Sequence, residues 1–146
     1  MTLPVDYDSD DYEHCKTLNM DVQLKPLNNK SSFWDIQFEN GDYVNLTGKE
    51  SLYNAICIAI MTRFQELGFI ELYSDFGCRV YELIKANKSS MVKFKVQTYT
   101  QNVLENMRRV REVNWIEVSD SDDCNYKISF SITSISDEII SGGIII

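Results

Sequence analysis

The stretch that most constrains the fold runs from Thr47 to Leu67. Thr47-Gly48-Lys49-Glu50 reads as a capping box, in which the Thr hydroxyl and the Glu carboxylate each accept from backbone N–H groups at a helix start. A helix over about Lys49 to Leu67 follows. Leu52, Ile56, Ala59, Ile60, Arg63 or Phe64, and Leu67 recur at spacings of three and four. Ala55, Cys57, Ile58 and Met61 make the segment apolar almost all round, so it has to lie in the middle and the rest of the chain must pack about it.

At 146 residues the chain is one domain by length, able to bury roughly two-thirds of its unfolded surface. The longest apolar run, Ala55 to Met61, is too short to cross a bilayer, and the N-terminus shows neither a basic nor an apolar leader region. Neither a membrane nor a nucleic acid is therefore expected as partner, the second because a net charge of −8 cannot neutralise phosphates. The charges are unevenly spread. Residues 85–112 hold Lys85, Lys88, Lys93, Lys95, Arg108, Arg109 and Arg111 against Glu105 and Glu112, a local balance of +5, either a solvated face or a docking surface for acidic partners.

Beyond the first helix, Leu67-Gly68 reads as a helix stop with Gly in the left-handed position. Asp75-Phe76-Gly77 reads as a tight turn with Phe76 as a plug in the core. Val80 to Ile84 suggests a short helix. A second long helix is expected from Ser90 to about Val113, with Val92, Val96, Tyr99, Val103, Met107 and Val110 as its apolar stripe and Arg108, Arg109 and Arg111 in its last turns, where the macrodipole favours cations.

Strands are read from alternation. Trp34, Ile36 and Phe38 share one face of a half-buried strand, and Asn40-Gly41 signals a hairpin. A two-residue loop would pair Phe38 with Tyr43, set Glu39 against Asp42 and put Val44 and Leu46 on the opposite face; a loop one residue longer would repair the register, and the pattern fixes the hairpin but not its turn. Trp115 to Val118 is a strand, and Tyr126, Ile128, Phe130 and Ile132 form the apolar face of another. The tail, Ile139-Ile140-Ser141-Gly142-Gly143-Ile144-Ile145-Ile146, is β-prone and uncharged, with Gly142-Gly143 read as a flexible joint. Such a tail either closes the domain's own sheet or pairs with another chain. The expected fold is α+β: two long helices packed on a small mixed or antiparallel sheet, with an N-terminal hairpin and C-terminal strands (31–146), preceded by an acidic arm (1–30).

Little chemistry is assembled. His14 is the single histidine, and Cys15, Cys57, Cys78 and Cys124 show no metal-ligand spacing, so free thiols and no zinc are expected. Asp6, Asp8 and Asp10 mimic half a calcium loop, but Asp11 and Thr17 stand where Gly and Glu are needed; Asp120, Asp122 and Asp123 fail likewise and read as a turn. No phosphate loop or dinucleotide motif occurs, and no cofactor is expected. Glu66, Glu71 and Asp75 are formally eligible for glycoside hydrolysis.

The order of parts resembles a known family. A hairpin, a capped helix ending in Thr62-Arg63, a Glu-bearing connection to Asp75-Phe76-Gly77, a second amphipathic helix, and a Trp115-Ile116-Glu117-Val118 strand before an alternating strand resemble the small baseplate-wedge proteins of contractile phage tails, once called the tail lysozyme family. Its members also occur in type VI secretion and related injection machines. Here Arg63-Phe64-Gln65-Glu66 replaces the family's Arg-Pro-Gly-Glu, and no proline precedes the Asp75 turn.

The resemblance implies structural work without catalysis, in a virion tail baseplate or injection particle assembled in the host cytoplasm. Larger wedge proteins would meet the joint residues Arg63, Glu71, Asp75, Phe76 and Gly77 and the basic residues Arg108, Arg109 and Arg111. The sheath subunit would meet Lys127, Ser129, Ser131, Ile139, Ile140, Ile144, Ile145 and Ile146, with the tail tube or hub as further candidates. Two alternatives are a cell-wall glycosidase using Glu71 or Glu66 as acid with Asp75 as its partner, and a cytosolic adaptor of the same fold.

Overall fold

The computed structural model describes residues 18, 20–28, 33–121 and 125–146. His14, Cys15, Cys124, the Asp6–Asp10 run, Asp122 and Asp123 lie outside them. The fold is α+β, with two α-helices and small antiparallel sheets among the described residues.

The first helix, α1 (Gly48–Met61), is central as expected, with Leu52, Ile56, Cys57 and Ile60 fully buried. Both of its ends differ from the sequence reading. Thr47 makes no side-chain cap bond; Gly48, at φ +60°, enters the helix in a left-handed conformation instead. The helix also stops at Met61, six residues early, where Thr62 sends both its N–H (2.9 Å) and its hydroxyl (2.8 Å) to Ile58 O. Tertiary pairing wins here: Arg63 forms a parallel bridge with Cys78, with Cys78 N donating to Thr62 O at 2.8 Å, and this draws the chain out of the helix. Gln65, at φ +61°, and not Gly68, takes the left-handed position in the turns that follow.

Among the described residues, six short strands precede α1 and pair as three two-stranded ribbons. β1 (Met20–Val22) pairs with β6 (Asn45–Thr47), β2 (Leu24–Pro26) with β3 (Trp34–Ile36), and β4 (Phe38–Glu39) with β5 (Asp42–Tyr43). Residues 20–26, expected to belong to the arm, thus supply two strands. The hairpin keeps its two-residue loop, with Phe38 opposite Tyr43 and Glu39 opposite Asp42, because Asn40 (φ +52°) and Gly41 (φ +82°) both adopt the left-handed conformation of a type I′ turn. No longer loop is needed, since neither face of this ribbon is buried: Ile36 and Phe38 are exposed, and only Trp34 packs on the core. Asn54, buried on α1, ties the first ribbons down; its amide donates to Asp21 Oδ2 and Val22 O and accepts from Leu24 N, all at 3.0 Å.

The second helix, α2 (Ser90–Glu105), begins at Ser89, whose hydroxyl accepts from Val92 N at 3.2 Å. It ends eight residues before the expected Val113. Val110 instead opens β7 (Val110–Asp120), which pairs with β8 (Tyr126–Ser134), which pairs in turn with β9 (Ile139–Ile145). Ladder bonds to β8 outcompete the helical pattern from Val110 onward. The inner face of this sheet, with Ile128, Phe130, Ile132 and Ile144, packs on α1 and forms the core. The tail therefore closes the domain's own sheet. Gly142 is no flexible joint: a Cβ there would lie 2.1 Å from the Tyr53 ring, which stacks on Phe130 and donates its hydroxyl to Gly143 O at 3.1 Å.

Candidate functional site

Two surfaces gather the residues singled out above. The first is a groove of about 500 Å³ between the joint and the end of α2. Asp75, Phe76 and Gly77 line it from the joint, and Asn106, Arg108 and Arg109 from the chain that follows α2. The turn at Gly77 builds one wall. With φ at +108° and a Cβ position only 2.5 Å from Arg63 O, no other residue fits without moving the Arg63–Cys78 bridge. Phe76 is half-buried and meets Tyr73 edge-on at 6.0 Å, so it is a partial plug.

The basic residues do not sit in a helix. Arg108 and Arg109 occupy the turn after α2, and Arg111 lies on β7, where it pairs with Asp137 in the β8–β9 turn. Arg109 donates to Leu18 O at 2.7 Å. Arg79, unremarked in the sequence, joins the groove and stacks over Phe64 at 4.4 Å. Lysines of the same basic stretch serve the fold: Lys93 and Lys88 reach Asp120 at 2.5 and 3.5 Å and hold its carboxyl below the usual range, the Lys93 hydrogen bond foremost. Arg63 stands over the Tyr81 ring at 5.2 Å outside the groove lining.

The eligible carboxylates are not brought together there. Glu66 accepts from Arg63 N at 3.1 Å, Glu71 is exposed on a 3₁₀ turn (Glu71–Tyr73), and Asp75 is the one acid of the groove lining among the described residues.

The second surface is the outer edge of β9. Tyr126 and Ile146 exchange both backbone hydrogen bonds at 2.9 Å, so by the antiparallel alternation the peptide groups of Ile139, Ser141, Gly143 and Ile145 point away from β8. Alongside runs a second groove of about 540 Å³, lined by Pro26, Trp34, Tyr53, Ile139, Ser141 and Gly143, among others. The side chains divide by face. Ile140, Ile144 and Ile146 are buried in this domain's own core, whereas Ile139 is 69% exposed. On the outer face Lys127 is exposed, while Ser131 is buried within a hydroxyl network with Asn114 and Ser141. Alternation located the strands; which isoleucines remain accessible depended on the register with β8.

The two described thiols, Cys57 and Cys78, are buried and unbridged. Burial pushes Cys57 up to about 12, against a smaller lowering by the Tyr53 hydroxyl, and burial likewise raises Cys78.

Among the described residues, then, this α+β domain has a groove with arginines at one place and, at another, a β9 edge that pairs with no further strand, features suited to contacts with other proteins. Residues 26–137 match the contractile injection system sheath initiator family, and the chain belongs to that family. A search of curated proteins gave no match. Membership gives the chain a structural role in sheath initiation at the tail baseplate, in contact with sheath and baseplate components.

Proposed function

We propose that the chain is the small wedge subunit of the baseplate. It docks on the larger wedge proteins through the groove between the joint and Arg108–Arg109, and it templates the first sheath ring by strand addition to β9. Tail tube and hub contacts are secondary in this reading.

The observation that carries it is the contrast between the two edges of the C-terminal sheet. The β7 ladder shifts register twice, between Val110 and Glu112 and between Val113 and Trp115, and β7 displays Arg111, Glu112 and Glu117. Bulges and charges of this kind blunt an edge against pairing. The β9 ladder keeps one register throughout, and its outward positions, Ile139, Ser141, Gly143 and Ile145, carry no charge. Main-chain bonds along such an edge supply affinity, and the adjoining groove supplies side-chain selection. Trp34 Nε1, buried in the residue that lines the groove, has no acceptor among the described residues.

Ser141→Pro tests this. Proline is tolerated on an edge strand where its missing N–H faces outward, so the fold should survive. The added strand loses its central donor, and sheath growth on purified baseplates should stop. Ser141→Ala, which removes only the hydroxyl bond to Ser131, should leave sheath growth intact. Normal sheath assembly with Ser141→Pro would reject templating through β9.

A further inference from the structure

We propose that the β9 edge is also a self-association surface: free copies of this chain pair antiparallel, β9 on β9, about a twofold axis at Gly142. The strand fits itself. Among the described residues β9 has β8 on one side and no strand on the other, and the peptide groups of Ile139, Ser141, Gly143 and Ile145 point to the open side. These four positions lie symmetrically about Gly142. A twofold axis there sets Ile139 opposite the partner's Ile145 and Ser141 opposite the partner's Gly143, so each outward N–H meets an outward C=O. Gly143 O already accepts from the Tyr53 hydroxyl at 3.1 Å, and its second lone pair serves the partner's Ser141.

The side chains agree with that register. Ile139, exposed on the outer face, gains the partner's Ile145 as its cross-strand neighbour, which places an apolar pair at each end of the contact. At the axis the two Gly142 residues form a narrow, non-hydrogen-bonded pair with no Cβ between them.

Charge favours a second copy as occupant. Ile139–Ile145 carries no charged side chain, so two such strands meet without repulsion along the contact. The β7 edge, with its two register shifts and its Arg111, Glu112 and Glu117, offers no such match to itself. Size sets the strength. Seven residues pair over ~24 Å of strand, a contact in the small class below ~1,200 Å² in total, which gives weak, exchanging dimers.

The consequence is that pairing hides the edge that the proposed templating uses, so free copies do not start a sheath and incorporation into a baseplate exposes the strand. That consequence rests on the templating reading; the pairing does not, and its test contains no sheath or baseplate component.

Sedimentation equilibrium of the full chain from about 5 µM to about 500 µM should show a reversible monomer–dimer equilibrium. Each copy carries a net charge of −8, so raising salt from about 0.05 M to about 0.5 M should tighten the dimer by screening that repulsion. Ser141→Pro removes one outward N–H from each copy and should weaken pairing by more than about tenfold. Register is read by disulfides in a Cys15→Ser, Cys124→Ser background. A chain with Ile139→Cys and a chain with Ile145→Cys, mixed and oxidised, should cross-link to each other, and neither should cross-link alone. A chain that stays monomeric throughout this range would overturn the proposal, as would dimers unaffected by Ser141→Pro or cross-linking of Ile139→Cys to itself. A monomeric chain would leave templating by β9 standing, whereas normal sheath growth with Ser141→Pro would reject templating and leave the pairing standing.

Discussion

Residues 33–38 and 126–133 carry the same alternating pattern, yet they end in opposite environments. In β8 the apolar face lies on α1, and Phe130 meets the Tyr53 ring at 6.0 Å inside the core. In β3 and β4 the alternation ends in a ribbon whose Phe38 meets Tyr43 at 4.9 Å, with both rings exposed. Alternation states that a strand has an apolar face. Whether that face is covered depends on where the helix surface is already occupied, and α1 is occupied by β8 and β9.

The sharpest way to break this contrast is to remove 141–146. Ile144 and Ile146 leave the core with them, and the cooperative thermal transition should disappear, as read by near-ultraviolet circular dichroism. A surviving transition would show that the sheet is as dispensable as the ribbon. Phe130→Ala should cost about 3–5 kcal/mol by denaturant unfolding, whereas Phe38→Ala should cost less than ~1 kcal/mol. Similar losses at both positions would erase the distinction.

Gly142→Ala should cost ~1–3 kcal/mol, because the new methyl meets the Tyr53 ring, and a smaller residue at position 53 should relieve part of the loss. The smallest effect is with pH. Burial raises both the Tyr53 phenol and the Cys57 thiol, the latter from 9.0 to about 12. The unfolded chain therefore loses its protons first, and stability present below about pH 9 should decline as pH rises toward 12. Cys57→Ala should flatten that decline; an unchanged slope would place the titration elsewhere.

Much of the fold was legible because it is local. The apolar periodicity of α1, the faultless alternation of β8 and the left-handed Gly77 are each specified within a few residues. Helix ends were not, since both are set by partners distant in sequence: Cys78 draws Arg63 out of α1, and Ser134 claims Val110 for the sheet. The same holds for Gly142, whose missing side chain makes room for a ring 89 positions earlier. Of the candidate surfaces, the Asp75–Gly77 turn was visible in the sequence. Its meeting with Arg79 and the turn after α2 was not, because no spacing rule links those segments.

The anchoring of both outer portions of the chain to α1 has a mechanical side. Asn54 holds β1 and β2, Tyr53 holds β9, and the two anchors are consecutive residues. Tension applied through either the N-terminal ribbons or the last strand is thus delivered to a single helical turn, which carries load from two directions at once.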